Sequence, residues 1–227
     1  MFLYESPVAL AIAVISMIIA VAAQIGVKSA YGKYSKMRVS SNMTGSDVAR
    51  LIVQGTDVVV VQNNGGQLSD HYDPRRQIIA LSPEVYNGST VAALGIAAHE
   101  AGHALQYDQD YAPVKLRSGI LPVAQIGSTI AMPMVFLGLA LSSASFLIDL
   151  GIILFIAVLA FQVITLPVEF NASRRAVAIL DDSAYLTPSE SAGAKAMLNA
   201  AAMTYVAAVV TSLLQLLRLI TLSNRRR

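Results

Sequence analysis

Long uncharged runs alternate along this chain with one stretch in which apolar and polar residues interleave. Pro7 to Val27 is free of charge and matches the roughly 20 residues a helix needs to cross a hydrocarbon layer. Ser118 to Ile148 and Leu150 to Val168 are also uncharged, separated only by Asp149, and read as a helical hairpin with its tip at the aspartate. Pro122 and Pro133 kink the first arm or mark its start, and neighbouring helices can re-satisfy the freed carbonyls. A fourth run, Ala196 to Leu217, is broken by Arg218, so a helix over 196–220 either crosses as well or packs without crossing.

Between the first and second runs the pattern changes. Thr44 to Gln54 opens on capping residues and then places Val48, Leu51 and Ile52 at helical spacing, which predicts a short amphipathic helix. Asp57 to Gln62 is β-branched and reads as a strand, Asn63 to Gly66 as a turn, and Gln77 to Leu81 as a second strand. Asp70-His-Tyr-Asp-Pro-Arg75 lies between the strands and carries turn residues, so His71 is expected on a loop. Further on, Pro188 after Thr187 marks a helix start that follows a loop.

Composition agrees with the spans. Of 227 residues, 55% are hydrophobic and only 13% charged, which excludes an ordinary soluble domain and points to a membrane protein. A net charge of +2 is too small for a nucleic-acid surface. With no cysteine, any metal must be held by His, Asp or Glu. Met1 to Ser6 lacks the Lys or Arg that leads a signal peptide, although Ala20-Val-Ala22 resembles a cleavage site, so the first run reads as a transmembrane helix. Lys28, Lys33, Lys36 and Arg38 follow it, Lys115 and Arg117 precede the hairpin, and Arg174 and Arg175 follow the hairpin. By the positive-inside bias the N-terminus is outside and residues 28–117 and 169–195 are cytoplasmic. Arg225, Arg226 and Arg227 conflict with a full fourth crossing under the same bias.

The chemistry concentrates in His99-Glu-Ala-Gly-His103. Two of the three histidines stand four residues apart, on one face of a helix, where both imidazoles can aim at one zinc ion. Glu100 is rotated about 100° from His99, beside the metal rather than on it, where a general base for an activated water belongs. Two imidazoles and a carboxylate in an Ala/Gly/Leu helix are costly to bury without a partner, and a metal supplies one. Catalytic zinc wants a third protein ligand, and Glu169 emerges at the membrane boundary on the side expected for the histidines. His71, Tyr72 or Tyr86 could donate to a developing oxyanion, and His71 is also the one further residue that could close the site as a fourth ligand.

Asp70-His-Tyr-Asp-Pro-Arg75, Leu81-Ser-Pro-Glu-Val-Tyr86, His99 to Gln106 and Leu166 to Ala176 together resemble the YugP-type bacterial membrane zinc metallopeptidases, over nearly the whole chain. More distantly the helix pair is similar to gluzincins such as HtpX and the CAAX prenyl endopeptidase. The resemblance implies a mainly α, polytopic helical bundle with a small α+β gluzincin-like zinc domain carrying a short β-hairpin or sheet. It implies His99, His103 and Glu169 as zinc ligands and Glu100 as base. HtpX-like proteins place an Asp four residues after the ligand Glu, whereas this chain has Ser173 there, and support of the histidines then falls to Ser173 or Asn171. The expected activity is zinc-dependent hydrolysis of peptide bonds in membrane-associated proteins at the bilayer. Hydrolysis of another ester or amide, and a non-catalytic zinc-bearing scaffold, are the alternatives. Substrate identity, regulators and oligomeric state are not encoded in any motif.

Overall fold

In the computed structural model, residues 7–66, 69–141, 144–182 and 185–224 are described. The elements run α1 (Pro7–Tyr34), α2 (Gly45–Ile52), β1 (Val59–Gln62), β2 (His71–Asp73), β3 (Ile78–Leu81), α3 (Pro83–Tyr86), α4 (Val91–Asp108), α5 (Ala112–Ala140), α6 (Phe146–Asp182) and α7 (Pro188–Asn224). The helices α1, α5, α6 and α7 are long and apolar enough to cross a membrane. The chain forms two compact units, each of discontinuous segments.

One unit comprises Met1–Gln24, Lys115–Pro167 and Thr204–Arg227. Here α5 and α6 approach closely through small residues: a Cβ on Gly127 would stand 2.8 Å from the Leu154 carbonyl oxygen, and one on Gly151 would stand 2.8 Å from that of Ala131. Backbone contact of this kind is how helices gain packing energy where no hydrophobic drive operates between them. Val135, Ile148 and Leu219 form the buried cluster of this unit.

The other unit comprises Ile25–Val114 and Val168–Met203, and α4 is its centre. Thr90 caps α4 by accepting from the Ala93 N–H at 3.2 Å, and the helix then buries small residues around its circumference. Leu94 and Ala98 pack with Ala176 and Leu180 of α6 and Met197 of α7, whereas Ala97 and Ala101 pack with Ile79 and Leu81 of β3 and Val85 of α3. The face that carries His99 and His103 is mostly covered but not closed, the two side chains being 16% and 12% exposed. The α2 helix closes the unit with a reciprocal cap between Thr44 and Asp47, as its first residues predict.

The sheet has the order β1-β3-β2. Val59 pairs with Ile78 in parallel and His71 with Ala80 in antiparallel fashion. The segment expected as a loop around His71 therefore contains an edge strand. Three polar and aromatic residues are too few to show an alternation, and their strand character comes from pairing to β3. Hydropathy also misplaces helix ends. Asp149 stands in the first turn of α6, where a carboxylate meets the positive end of the helix dipole, instead of between helices. Beyond Val168 the helix continues to Asp182, so Glu169 is mid-helix. The onset of charge there changes the side chains and does not end the helical hydrogen bonding. Among the described residues α7 is one continuous helix from Pro188, with no break at Arg218.

Candidate metal centre

His99 and His103 lie one turn apart on α4, with ring centroids 4.7 Å apart and the rings edge to face. Glu169 enters from α6. Its Oε2 is 3.4 Å from His99 Nε2 and 3.6 Å from His103 Nε2, and its side chain is 3% exposed. What brings the two helices this close is Gly102, which lies against the backbone of Ala172.

The donor set fits zinc. Bonds of about 2.0–2.1 Å in a tetrahedron put neighbouring ligand atoms about 3.4 Å apart, close to the 3.4 and 3.6 Å between the carboxylate oxygen and the two imidazole nitrogens here. Two imidazoles and one carboxylate also form the set typical of zinc sites that keep a position open for water or substrate. Among the described residues these three are the group of His, Asp and Glu side chains that could hold a metal ion. His71 is not in it. Instead His71 is exposed on β2, and its Nδ1 faces the Ser69 carbonyl oxygen at 2.9 Å.

Both histidines are held from behind. Ser173 Oγ lies 3.2 Å from His99 Nδ1, so the serine at the position of the HtpX-like aspartate does reach an imidazole. His103 Nδ1 faces Gln106 Oε1 at 3.0 Å. Asn171 touches neither ring through a hydrogen bond; its Oδ1 accepts from Gln106 Nε2 at 2.9 Å and from Arg175 Nε at 2.8 Å. Gln106 is the residue that motif reading passes over. It stands three residues after His103, hence on the same helix face, and that spacing is the signal that points to it.

Electrostatics favour a cation at this spot. Burial of His103 works to lower its pKa, but the hydrogen bond to Glu169 and the negative charge of Glu100 outweigh it, and the net direction is upward. The potential that holds a proton there also holds a divalent ion. Glu100 is half-exposed beside His99 and exerts its charge on His103 and on Asp70. The Asp70 carboxylate accepts from the Ser82 N–H at 2.7 Å and hydroxyl at 3.0 Å, tying the start of β2 to the end of β3. Burial pushes its pKa up against those two bonds, and Glu100 adds to the rise.

Residues 9–224 match the family described as "Putative neutral zinc metallopeptidase". A protein of Bacillus subtilis (strain 168), "Putative membrane protease YugP", is 47% identical over 200 residues, covering 87% of this chain and 88% of that protein. No solved structure matches the chain. A match over almost every residue, with a close relative of the same length, decides the classification: the chain belongs to this zinc metallopeptidase family and is a membrane protein.

Proposed function

We propose that the protein is a membrane-embedded zinc endopeptidase that cleaves membrane-associated proteins, with His99, His103 and Glu169 as ligands and Glu100 as general base. The observation that carries this is the meeting of the two imidazoles with one buried carboxylate oxygen at 3.4 and 3.6 Å, with a second carboxylate on the adjoining residue. When bound, zinc supplies Lewis acidity to the scissile carbonyl and makes a water molecule acidic enough to attack near neutral pH. Glu100 takes the proton from that water and delivers it to the departing amine. Its half-exposed position suits a group that must exchange protons with substrate, while the buried Glu169 suits a fixed ligand.

An extended substrate segment has a rail to lie on. The β2 strand is a sheet edge that packs on α4, so a peptide added alongside it by main-chain hydrogen bonds runs past the histidines. The distribution of Lys and Arg around the apolar helices supports a cytoplasmic site, with Lys28, Lys33 and Lys36 on the α1 side and Arg174 and Arg175 beyond Glu169.

The test compares detergent-purified wild type, Glu100→Gln and Glu169→Gln for zinc content and for cleavage of membrane-tethered and soluble substrates. Glu100→Gln is expected to keep stoichiometric zinc and lose cleavage by roughly a hundredfold or more. Glu169→Gln is expected to lose zinc. Wild-type cleavage by Glu100→Gln would refute the assignment of the base. Equal rates on soluble and tethered substrates would refute the substrate class.

A further inference from the structure

We propose that Gln106 is a positioning residue that dictates which nitrogen of His103 is left bare for the metal; the inference rests on the ligand role proposed for His103. The reasoning starts from groups whose hydrogen-bonding sense cannot change. A backbone carbonyl only accepts, and the Val168 oxygen lies 2.8 Å from one end of the Gln106 amide, which must therefore be the NH2 end. A guanidinium only donates, so the Asn171 atom facing Arg175 Nε at 2.8 Å is the carbonyl oxygen, and this oxygen takes the second Gln106 proton at 2.9 Å. Arg175 is itself held, since its Nη1 donates to Gln109 Oε1 at 2.5 Å.

With both amide protons committed, the other end of Gln106 is its oxygen, and it faces His103 Nδ1 at 3.0 Å. An amide oxygen cannot donate, so Nδ1 carries the hydrogen. In the neutral ring, the form that binds a metal, the lone pair is then on Nε2, the atom that faces Glu169. Free imidazole in a peptide prefers the opposite tautomer, so the chain of amides performs work that the ring does not do for itself. Gln106 is fully buried, which removes water as a competitor for any of these bonds. Its anchor also matters for distance. Val168 immediately precedes Glu169, so the histidine ring is tied to the same helical turn that carries the carboxylate. Through Gln106, the ligand on α4 and the ligand on α6 share one reference point.

A merely structural role for Gln106 makes a different prediction from a tautomer-setting one. The experiment uses the full chain in detergent, zinc-loaded, with 15N-labelled histidine, and only three residues contribute signals. Two readouts are taken: zinc affinity by chelator competition, and the solvent exchange of the His103 Nδ1 proton by NMR. In wild type this proton is expected to be bonded and slow to exchange. Gln106→Met is expected to bind zinc about 10–100-fold more weakly and to expose the proton to rapid exchange. Gln106→Glu keeps an acceptor for Nδ1, so it is expected to recover most of the affinity. Should Gln106→Met fail to fold, Asn171→Leu against Asn171→Asp gives the same contrast one bond further out, since only Asp keeps an acceptor for both Gln106 and Arg175. Wild-type affinity in Gln106→Met or in Asn171→Leu, or a wild-type His103 without a protected Nδ1 proton, overturns the proposal. Neither readout involves cleavage, so a protein that passes both and hydrolyses nothing refutes the peptidase reading and leaves the role of Gln106 standing.

Discussion

Gly102 of α4 lies so close to Ala172 of α6 that a Cβ there would stand 2.9 Å from the Ala172 carbonyl oxygen. The crossing point thus falls one residue before His103 and one before Ser173, and it sets the separation across which the two imidazoles meet Glu169.

Gly102→Ala is expected to destabilise the fold by about 1–3 kcal/mol, because the obstacle is backbone and cannot swing aside. Alanine normally stabilises a mid-helix position by roughly 1 kcal/mol relative to glycine, so the sign is informative. Gly119→Ala on α5, where no atom lies within 4 Å, is the control and is expected to be neutral or stabilising. Thermal unfolding in detergent together with zinc retention checks both, and an unchanged melting temperature for Gly102→Ala would show that the helices can part without cost.

Ser173 offers a hydroxyl to His99 Nδ1 at 3.2 Å, where a carboxylate would offer a charge. Ser173→Ala is expected to weaken zinc binding about tenfold, and Ser173→Asp to restore or exceed the wild-type value. Chelator competition measures both. Loss of affinity in the aspartate variant would mean that the pocket, which leaves Ser173 buried, has no room for the longer group.

His71 stands outside the ligand group and gives its Nδ1 to the Ser69 carbonyl, an acceptor. In the neutral ring the proton then sits on Nδ1, and Nε2 has only a lone pair to offer, which is unsuited to stabilising an oxyanion. His71→Ala is accordingly expected to retain full zinc content and to lose no more than about a factor of two in turnover at neutral pH. A tenfold loss of turnover with zinc intact would return His71 to the reacting groups.

Asp70 links stability to pH. Its carboxyl is held above the ordinary range, first by burial and further by Glu100, so the fold binds that proton more tightly than the unfolded chain does. The stability it contributes is full below the unfolded value near about 4 and is lost as pH rises through the folded pKa. Asp70→Asn is expected to flatten the melting-temperature profile just above that value, because the amide oxygen still accepts from Ser82 and carries no charge to desolvate. A variant profile parallel to wild type would assign the slope to other groups.

The histidine pair was legible because it depends on a local periodicity, and Glu169 because the motif lacked a ligand and the apolar spans limited where one could come from. The Thr44 cap was legible for the same local reason. What sequence could not yield was set by partners distant in the chain. The strand at His71 exists through β3, and the role of Gln106 exists through a backbone carbonyl on another helix, 62 positions away. Glycine at 102 carries no sign of its own that another backbone lies against it. Helix ends near Asp149 and Val168 were misplaced because hydropathy reports the polarity of side chains, whereas the backbone hydrogen bonding of α6 runs without interruption from Phe146 to Asp182.

That uninterrupted α6 orders events during synthesis. Glu169 follows the apolar stretch Leu150 to Val168 in the chain, while both histidines precede the entire hairpin. A nascent chain therefore displays two imidazoles with no carboxylate to complete them until the most apolar part of the protein has been made. The three-residue group is therefore complete only late in synthesis, and a copy truncated within the hairpin lacks its carboxylate.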